Sequence, residues 1–202
     1  MTESRGPGGT EGRSPGARAD ARRNRAAIVA AARTAVEELG AGVPLERIAQ
    51  RAGVNARTLF RHFPTKDDLL TAVLEEYFTE RVEPALLRAA ADPDPRRAIA
   101  SVLTESTRAF VGHPGILALI SGGAWSGGIT DRYVGPLTEI LARARRAGVV
   151  RADLTPADFP CLVTMLVAGA RHAPRGWSRY LALMLDSLAP EAAHGPLPAV
   201  GS

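Results

Sequence analysis

The stretch Leu45–Lys66, LERIAQRAGVNARTLFRHFPTK, constrains the rest of the chain most strongly. Leu45, Ile48, Ala49 and Ala52 fall at i, i+3, i+4 and i+7, one face of a helix. Gly53 follows as the residue able to turn the chain out of that helix with positive φ. Asn55 is a good N-cap for a second helix, and Val54 and Leu59 take the N′ and N4 places of a hydrophobic staple. Leu59 and Phe63, four apart, form the buried face, leaving Ala56, Arg57, Phe60 and Arg61 pointing outward. Pro64 cannot continue the helix and biases Phe63 away from helical geometry. Two short helices, a tight glycine turn and a basic exposed face on the second helix predict a helix-turn-helix.

The outward face points to DNA. A helix in the major groove needs short or flexible side chains near its N-terminus and an arginine able to bond guanine bidentately. Arg57 stands where base readout would occur, whereas Thr58, Phe60, Arg61 and His62 suit sugar and phosphate contacts. Lys66, the only lysine, follows Thr65, which can cap the next helix, whose N-terminus adds backbone donors for a phosphate. With Arg47, Asn55 and Ala56 these residues form the candidate DNA-binding set. An αα-hairpin with solvated arginines is the bland alternative for so short a pattern.

A first helix, RNRAAIVAAARTAVEELG, precedes the pair, and IAQRAGVNARTLFRHFPTKDDLL follows it. From about Ala21 to Tyr77 the chain resembles the TetR family of bacterial transcriptional regulators. The likeness rests on the pattern IA-x-x-AGV-x-x-x-T-L-(Y/F)-x-x-F-x-x-K-(E/D)-x-L-L. Two positions depart from the family habit. Arg57 stands where a small residue is usual, and Phe60 where Tyr is usual, which removes one phosphate hydrogen bond and adds a long cationic arm. The resemblance implies an all-α chain: an N-terminal three-helix DNA-binding domain and a larger C-terminal helical domain for ligand binding and dimerisation.

Charge is distributed accordingly. Residues 1–66 hold 12 Lys and Arg against 6 Asp and Glu, a net +6, and the remainder holds 13 against 15, a net −2. A basic N-terminal third on a slightly acidic body suggests one nucleic-acid face. Residues 1–20 are rich in Gly, Pro, Arg and Ser and are expected to be disordered, as is the segment 190–202. Arg18, Arg22, Arg23 and Arg25 sit where a basic arm would reach a phosphate or an adjacent minor groove, a solvated tail being the alternative. No secretory leader or membrane-spanning apolar run is present, so a cytoplasmic protein with no membrane partner is expected. The boundaries implied are 21–66 for the DNA-binding domain and 67–189 for the second domain.

Beyond Lys66 the apolar pattern is helical throughout. Helices are expected at about Arg23–Leu39, from Thr65 with a kink or restart at Pro84, from Asp94–Pro95 to Val111, over Ile116–Ile120, and from Asp131 to Ala147. Two more are expected at 156–171 and 176–188. The first of these contains CLVTMLVAGA, apolar nearly all round, and must be covered on every side. By the resemblance, these last two helices pair with a second copy as a four-helix bundle. A homodimer also places two recognition helices about 34–36 Å apart, or a multiple of it, on one DNA face.

Nothing assembles a catalytic site. Cys161, alone, is read as a buried inert thiol. His62, His113, His172 and His194 lack metal-ligand spacing, and the last three are read as solvated. Ser121 and Ser126 lack a nucleophile elbow, and SGGAWSGG lacks the features of a phosphate loop. No enzyme activity, cofactor or metal is expected. The resemblance implies an unidentified small-molecule effector, with Phe110, Leu117, Trp125, Tyr133, Met165 and Trp177 as candidate pocket residues, although core packing explains each one separately. The function expected is a ligand-responsive repressor bound as a homodimer to a pseudo-palindromic double-stranded operator. An activator is one alternative, and a helical small-molecule or partner-binding protein that does not read DNA specifically is another.

Overall fold

The computed structural model describes residues 15–121 and 128–198, and helices account for all the regular structure among them. Helix α1 (Pro15–Leu39) packs on α2 (Leu45–Arg51) and α4 (Lys66–Tyr77), and α3 (Ala56–His62) packs on α2. Ile28, Val29, Ala32, Ala35 and Val36 of α1 are buried against Ile48, Leu59, Phe63, Leu69 and Val73. The helix begins at Pro15, not at Arg23 as the apolar period implied. Its added turns carry Ala and Arg, good helix formers that leave no hydrophobic stripe to read. Residues 1–14 lie outside the described residues.

Every boundary of the helix pair has a local cause. Gly53 adopts φ +68° and places its N–H on Gln50 O (3.2 Å), while Val54 N–H reaches back to Ala49 O (3.0 Å). Those two bonds close α2 as a Schellman motif, which needs the left-handed conformation at that position. The Asn55 side chain accepts from Thr58 N–H at 2.8 Å and starts α3. Thr65 and Asp68 form a reciprocal capping box at the start of α4 (3.0 and 3.1 Å).

α4 runs on through a π-helical turn, Phe78–Val82, into α5 (Glu83–Ala91), whose first turn holds Pro84. The missing N–H of Pro84 accounts for the restart expected there. Asp94 accepts from Arg96 and Arg97 N–H groups to open α6 (Pro95–Val111). Short α7 (Pro114–Ser121) returns to α1, and α8 (Gly128–Arg146), α9 (Asp158–His172) and α10 (Trp177–Ser187) complete the second layer. α6 sits at its centre, contacting α5, α7, α8, α9 and α10. Arg143 of α8 donates to Ala90 O and Asp92 O (2.7 Å each), neutralising the carbonyl end of α5.

Two expectations fail in the C-terminal part. Within the segment 190–202, read as disordered, residues 199–202 lie outside the described residues, and the rest forms a 3₁₀ turn at Pro190–Ala192. It then crosses Arg151 and Asp153. Arg151 donates to Gly195 O (2.7 Å), and Leu197 N–H donates to Asp153 (2.7 Å). Polar composition hid these backbone bonds. The second failure is Cys161, which is exposed. It begins a line along α9 that continues through Met165, Ala168 and His172, all exposed. The opposite side of α9 is buried, with Phe159, Val163, Leu166, Val167 and Ala170. One chain therefore covers only half of this apolar helix.

Candidate nucleic-acid interface and effector cavity

α3 exposes Ala56, Arg57, Phe60 and Arg61, while Leu59 is fully buried in the core. Phe60 keeps 45% of its surface exposed, an unusual investment for a phenylalanine beside a free hydrophobic core. No ion pair among the described residues engages Arg47, Arg57, Arg61 or Lys66. Arg47 is exposed on α2, whereas Thr58 and Lys66 are half-buried. The Asn55 amide oxygen is engaged as the cap of α3. His62 is half-buried with Nε2 shielded from solvent, so its ring lies partly behind the outward face. On α1, Arg25 does not extend away: its guanidinium stacks 5.2 Å from the centre of the Phe63 ring. Arg23 pairs with Asp20. Arg57, Phe60 and Arg61 are thus exposed on α3, and Arg47 is exposed on α2.

The second region is a narrow, half-open apolar recess walled by Phe78, Phe110, Leu117, Ile120, Tyr133, Pro160 and Val163. Of the six effector candidates, Phe110, Leu117 and Tyr133 meet here. Met165 does not: it is 62% exposed on the outer side of α9, because helical phase turns it away from Val163. Trp177 is half-buried under the Arg108 guanidinium, 5.9 Å from its ring, and is no part of this recess. Trp125, with most of SGGAWSGG, lies outside the described residues. Phe78, Ile120, Pro160 and Val163 complete the wall. Their sequence signature is that of ordinary core, and only the packing of the π-helical turn, α7 and α9 brings them together.

Phe78 and Tyr133 meet edge-to-face at 5.8 Å and also line a neighbouring hollow with Glu75, Thr79, Glu83, Leu86 and Arg132. At its mouth Arg132 and Glu83 pair at 2.5 Å. Burial pushes the Tyr133 phenol above its ordinary range, with a hydrogen bond to Ser106 acting in the opposite direction. Tyr133 is the one wall residue of the recess with a polar side-chain group, and buried Ser106 stands behind it as its hydrogen-bond partner.

A helix-turn-helix with an open cationic recognition helix, mounted on a helical body with an internal recess, defines a DNA-binding transcriptional regulator. The profile of the bacterial regulatory proteins of the tetR family matches residues 28–73. The crystal structure of the TetR transcription regulatory protein from Mycobacterium vanbaalenii is 32% identical over 85% of this chain and 98% of its own, with a TM-score of 0.52. The chain belongs to the TetR family. The same fold recurs in RolR crystallised with resorcinol (24% identity, 91% of this chain, 100% of that one, TM-score 0.61). It recurs also in AibR crystallised with isovaleryl coenzyme A and operator DNA (22% identity, 83% and 98%, TM-score 0.58). No curated protein matches the chain. Among the described residues, no helix is long and apolar enough to cross a membrane.

Proposed function

We propose that this regulator is a ligand-responsive repressor that binds a pseudo-palindromic operator as a homodimer in the cytoplasm. Residues 21–66 form the DNA-binding domain and residues 67–189 the effector and dimerisation domain. The observation that carries the reading is the exposed side of α3 bearing Arg57, Phe60 and Arg61, whose two arginines form no ion pair among the described residues. In this reading Arg57 addresses a base edge, while Arg47, Ala56, Thr58, Phe60, Arg61 and Lys66 follow sugar and phosphate. Asn55 and His62 act at the edge of the face, the first chiefly as a cap.

The dimer is supported by the uncovered apolar side of α9 and by α10, where Tyr180 and Leu183 are 45% and 55% exposed and no residue is buried. A small effector would occupy the recess between Phe78, Phe110, Leu117 and Tyr133. By analogy, RolR was crystallised with an aromatic ligand and AibR with an acyl thioester, so the fold accommodates both kinds. Occupancy would shift the dimer toward a spacing of recognition helices that no longer fits the operator.

The test is binding to the DNA upstream of the protein's own gene and its neighbours at two salt concentrations. Nanomolar binding well above that to random DNA, with a two-fold symmetric footprint, supports the dimeric regulator. Binding of equal, weak strength to every sequence, abolished by salt, leaves only an unspecific basic face and favours a helical receptor.

A further inference from the structure

α7 is an eight-residue helix that touches α1, α4 and α6. Its first turn docks on α1, and its second turn forms a wall of the recess through Leu117 and Ile120. The docking is close. Pro114 has no N–H to satisfy, so the free donors of the first turn are Gly115 and Ile116. Neither is capped from within its own segment. Gly115 N–H donates to Glu37 Oε2 (2.9 Å) and Ile116 N–H to Glu37 Oε1 (3.4 Å), so a carboxylate from α1 caps α7. His113 Nδ1 lies 3.3 Å from Glu37 Oε1, and the His113 ring packs edge-on against Tyr77 at 5.2 Å. Gly115 lies flat on α1. A Cβ added there would stand 2.5 Å from Val36 O and 2.8 Å from Glu37 Cα, both backbone atoms that cannot give way.

We infer that Glu37 is a positioning residue that latches the effector-cavity helix α7 to the first helix of the DNA-binding domain, so that displacement of Leu117 and Ile120 is transmitted to α1. The inference rests on the effector reading of the recess. The latch is distinct from the covalent connection through α4, because it joins α1 to α7 by a cap made of side chain and backbone. Its geometry is all-or-none: α7 is one rigid rod of about 12 Å, and a push on its second turn tilts its first turn off the carboxylate. Once Gly115 and Ile116 leave Glu37, their donors are orphaned and the acid loses two charge-assisted bonds.

The test needs no known effector. Val163→Phe adds bulk to the recess from α9, opposite α7, and serves as a built-in occupant. Operator affinity and amide hydrogen exchange are measured on the full chain in four forms: wild type, Val163→Phe, Glu37→Ala, and the double variant. We expect Val163→Phe to lower operator affinity about tenfold, within the usual range of coupling between sites, and to speed exchange of the Gly115 and Ile116 amides by a similar factor. With Glu37→Ala present, the added effect of Val163→Phe on operator affinity should fall below twofold. Glu37→Gln keeps one acceptor oxygen and should retain part of the coupling, which a purely structural role for the side chain would not produce.

Equal losses of affinity from Val163→Phe in both backgrounds would overturn the latch. So would unchanged exchange of the two amides in Glu37→Ala. If Val163→Phe does not fold, Gly115→Ala separates α7 from α1 with Glu37 intact. Faster exchange at Ile116 in that variant supports the latch, and wild-type protection refutes it. A wild-type chain that binds no DNA specifically would defeat the repressor reading alone, since the exchange comparison still decides whether Glu37 holds α7.

Discussion

A guanidinium at the second position of a recognition helix either reads a base edge or only neutralises a phosphate, and Arg57 is placed where the two can be told apart. It is solvent-exposed, and no ion pair among the described residues engages it. Arg57→Ala is expected to cost roughly 1–3 kcal/mol of discrimination at one base pair while leaving affinity for the other positions in rank order. Competition binding against operators altered one base pair at a time gives the answer. A uniform weakening on all sequences with a shallower salt dependence assigns Arg57 to the backbone instead. Asn55 has a different kind of work, because its amide oxygen is already bonded to Thr58 N–H. Asn55→Ala should therefore lower thermal stability by about 1 kcal/mol, the usual size of a lost N-cap, in protein free of DNA. An unchanged melting curve would mean that packing of Leu59 alone holds the start of α3.

α4 ties the DNA-binding helices to the second layer, touching α1 on one side and α7 and α8 on the other, and Tyr77 at its end shows how. The ring lies beneath the Arg33 guanidinium at 5.0 Å and against Phe110 at 5.4 Å, while its hydroxyl donates to Ala109 O of α6. Burial pushes this phenol up to about 12, with the Arg33 and Arg81 charges pulling the other way. An unfolded tyrosine ionises near about 10. Between those values the unfolded chain releases a proton that the folded chain keeps, so stability is level below about pH 10 and falls as pH rises toward 12. The buried Tyr133 shifts in the same direction. Denaturant midpoints taken across that range should fall less steeply in Tyr77→Phe than in wild type; an identical slope would remove Tyr77 from the account. The ends of these helices were legible because their causes are local: Gly53 must turn, Asn55 and Thr65 cap, and Pro84 and Pro95 start helices. The recess was legible only in part. Phe110, Leu117 and Tyr133 announce themselves as large side chains near breaks, whereas Phe78, Pro160 and Val163 join them through contacts distant in sequence. Glu37 was invisible for the same reason, since a carboxylate in α1 gives no local sign that it caps a helix far along the chain, and His113, read as solvated, is instead half-buried between Glu37 and Tyr77.

For the molecule as a whole, the apolar period of α9 says that a face must be covered but not by what. One chain buries Val163, Leu166, Val167 and Ala170 and leaves Met165 and Cys161 facing outward, in line with an α10 that buries nothing completely. A second copy presenting the same surface would cover both helices by two-fold symmetry, and the same axis would set the recognition helices on one DNA face. The combined variant Met165→Asp with Leu183→Asp puts uncompensated charge into that surface while touching neither α3 nor the recess wall. Sedimentation should show a folded monomer. Because a single helix-turn-helix gathers few contacts, its operator affinity should drop toward the unspecific level, on the order of 10³-fold or more weaker, and the symmetric footprint should vanish. A variant that remains dimeric and still protects both half-sites would place the subunit interface elsewhere. The exposed side of α9 and α10 would then need another occupant, and the spacing of recognition helices would have to be set by a different pair of elements.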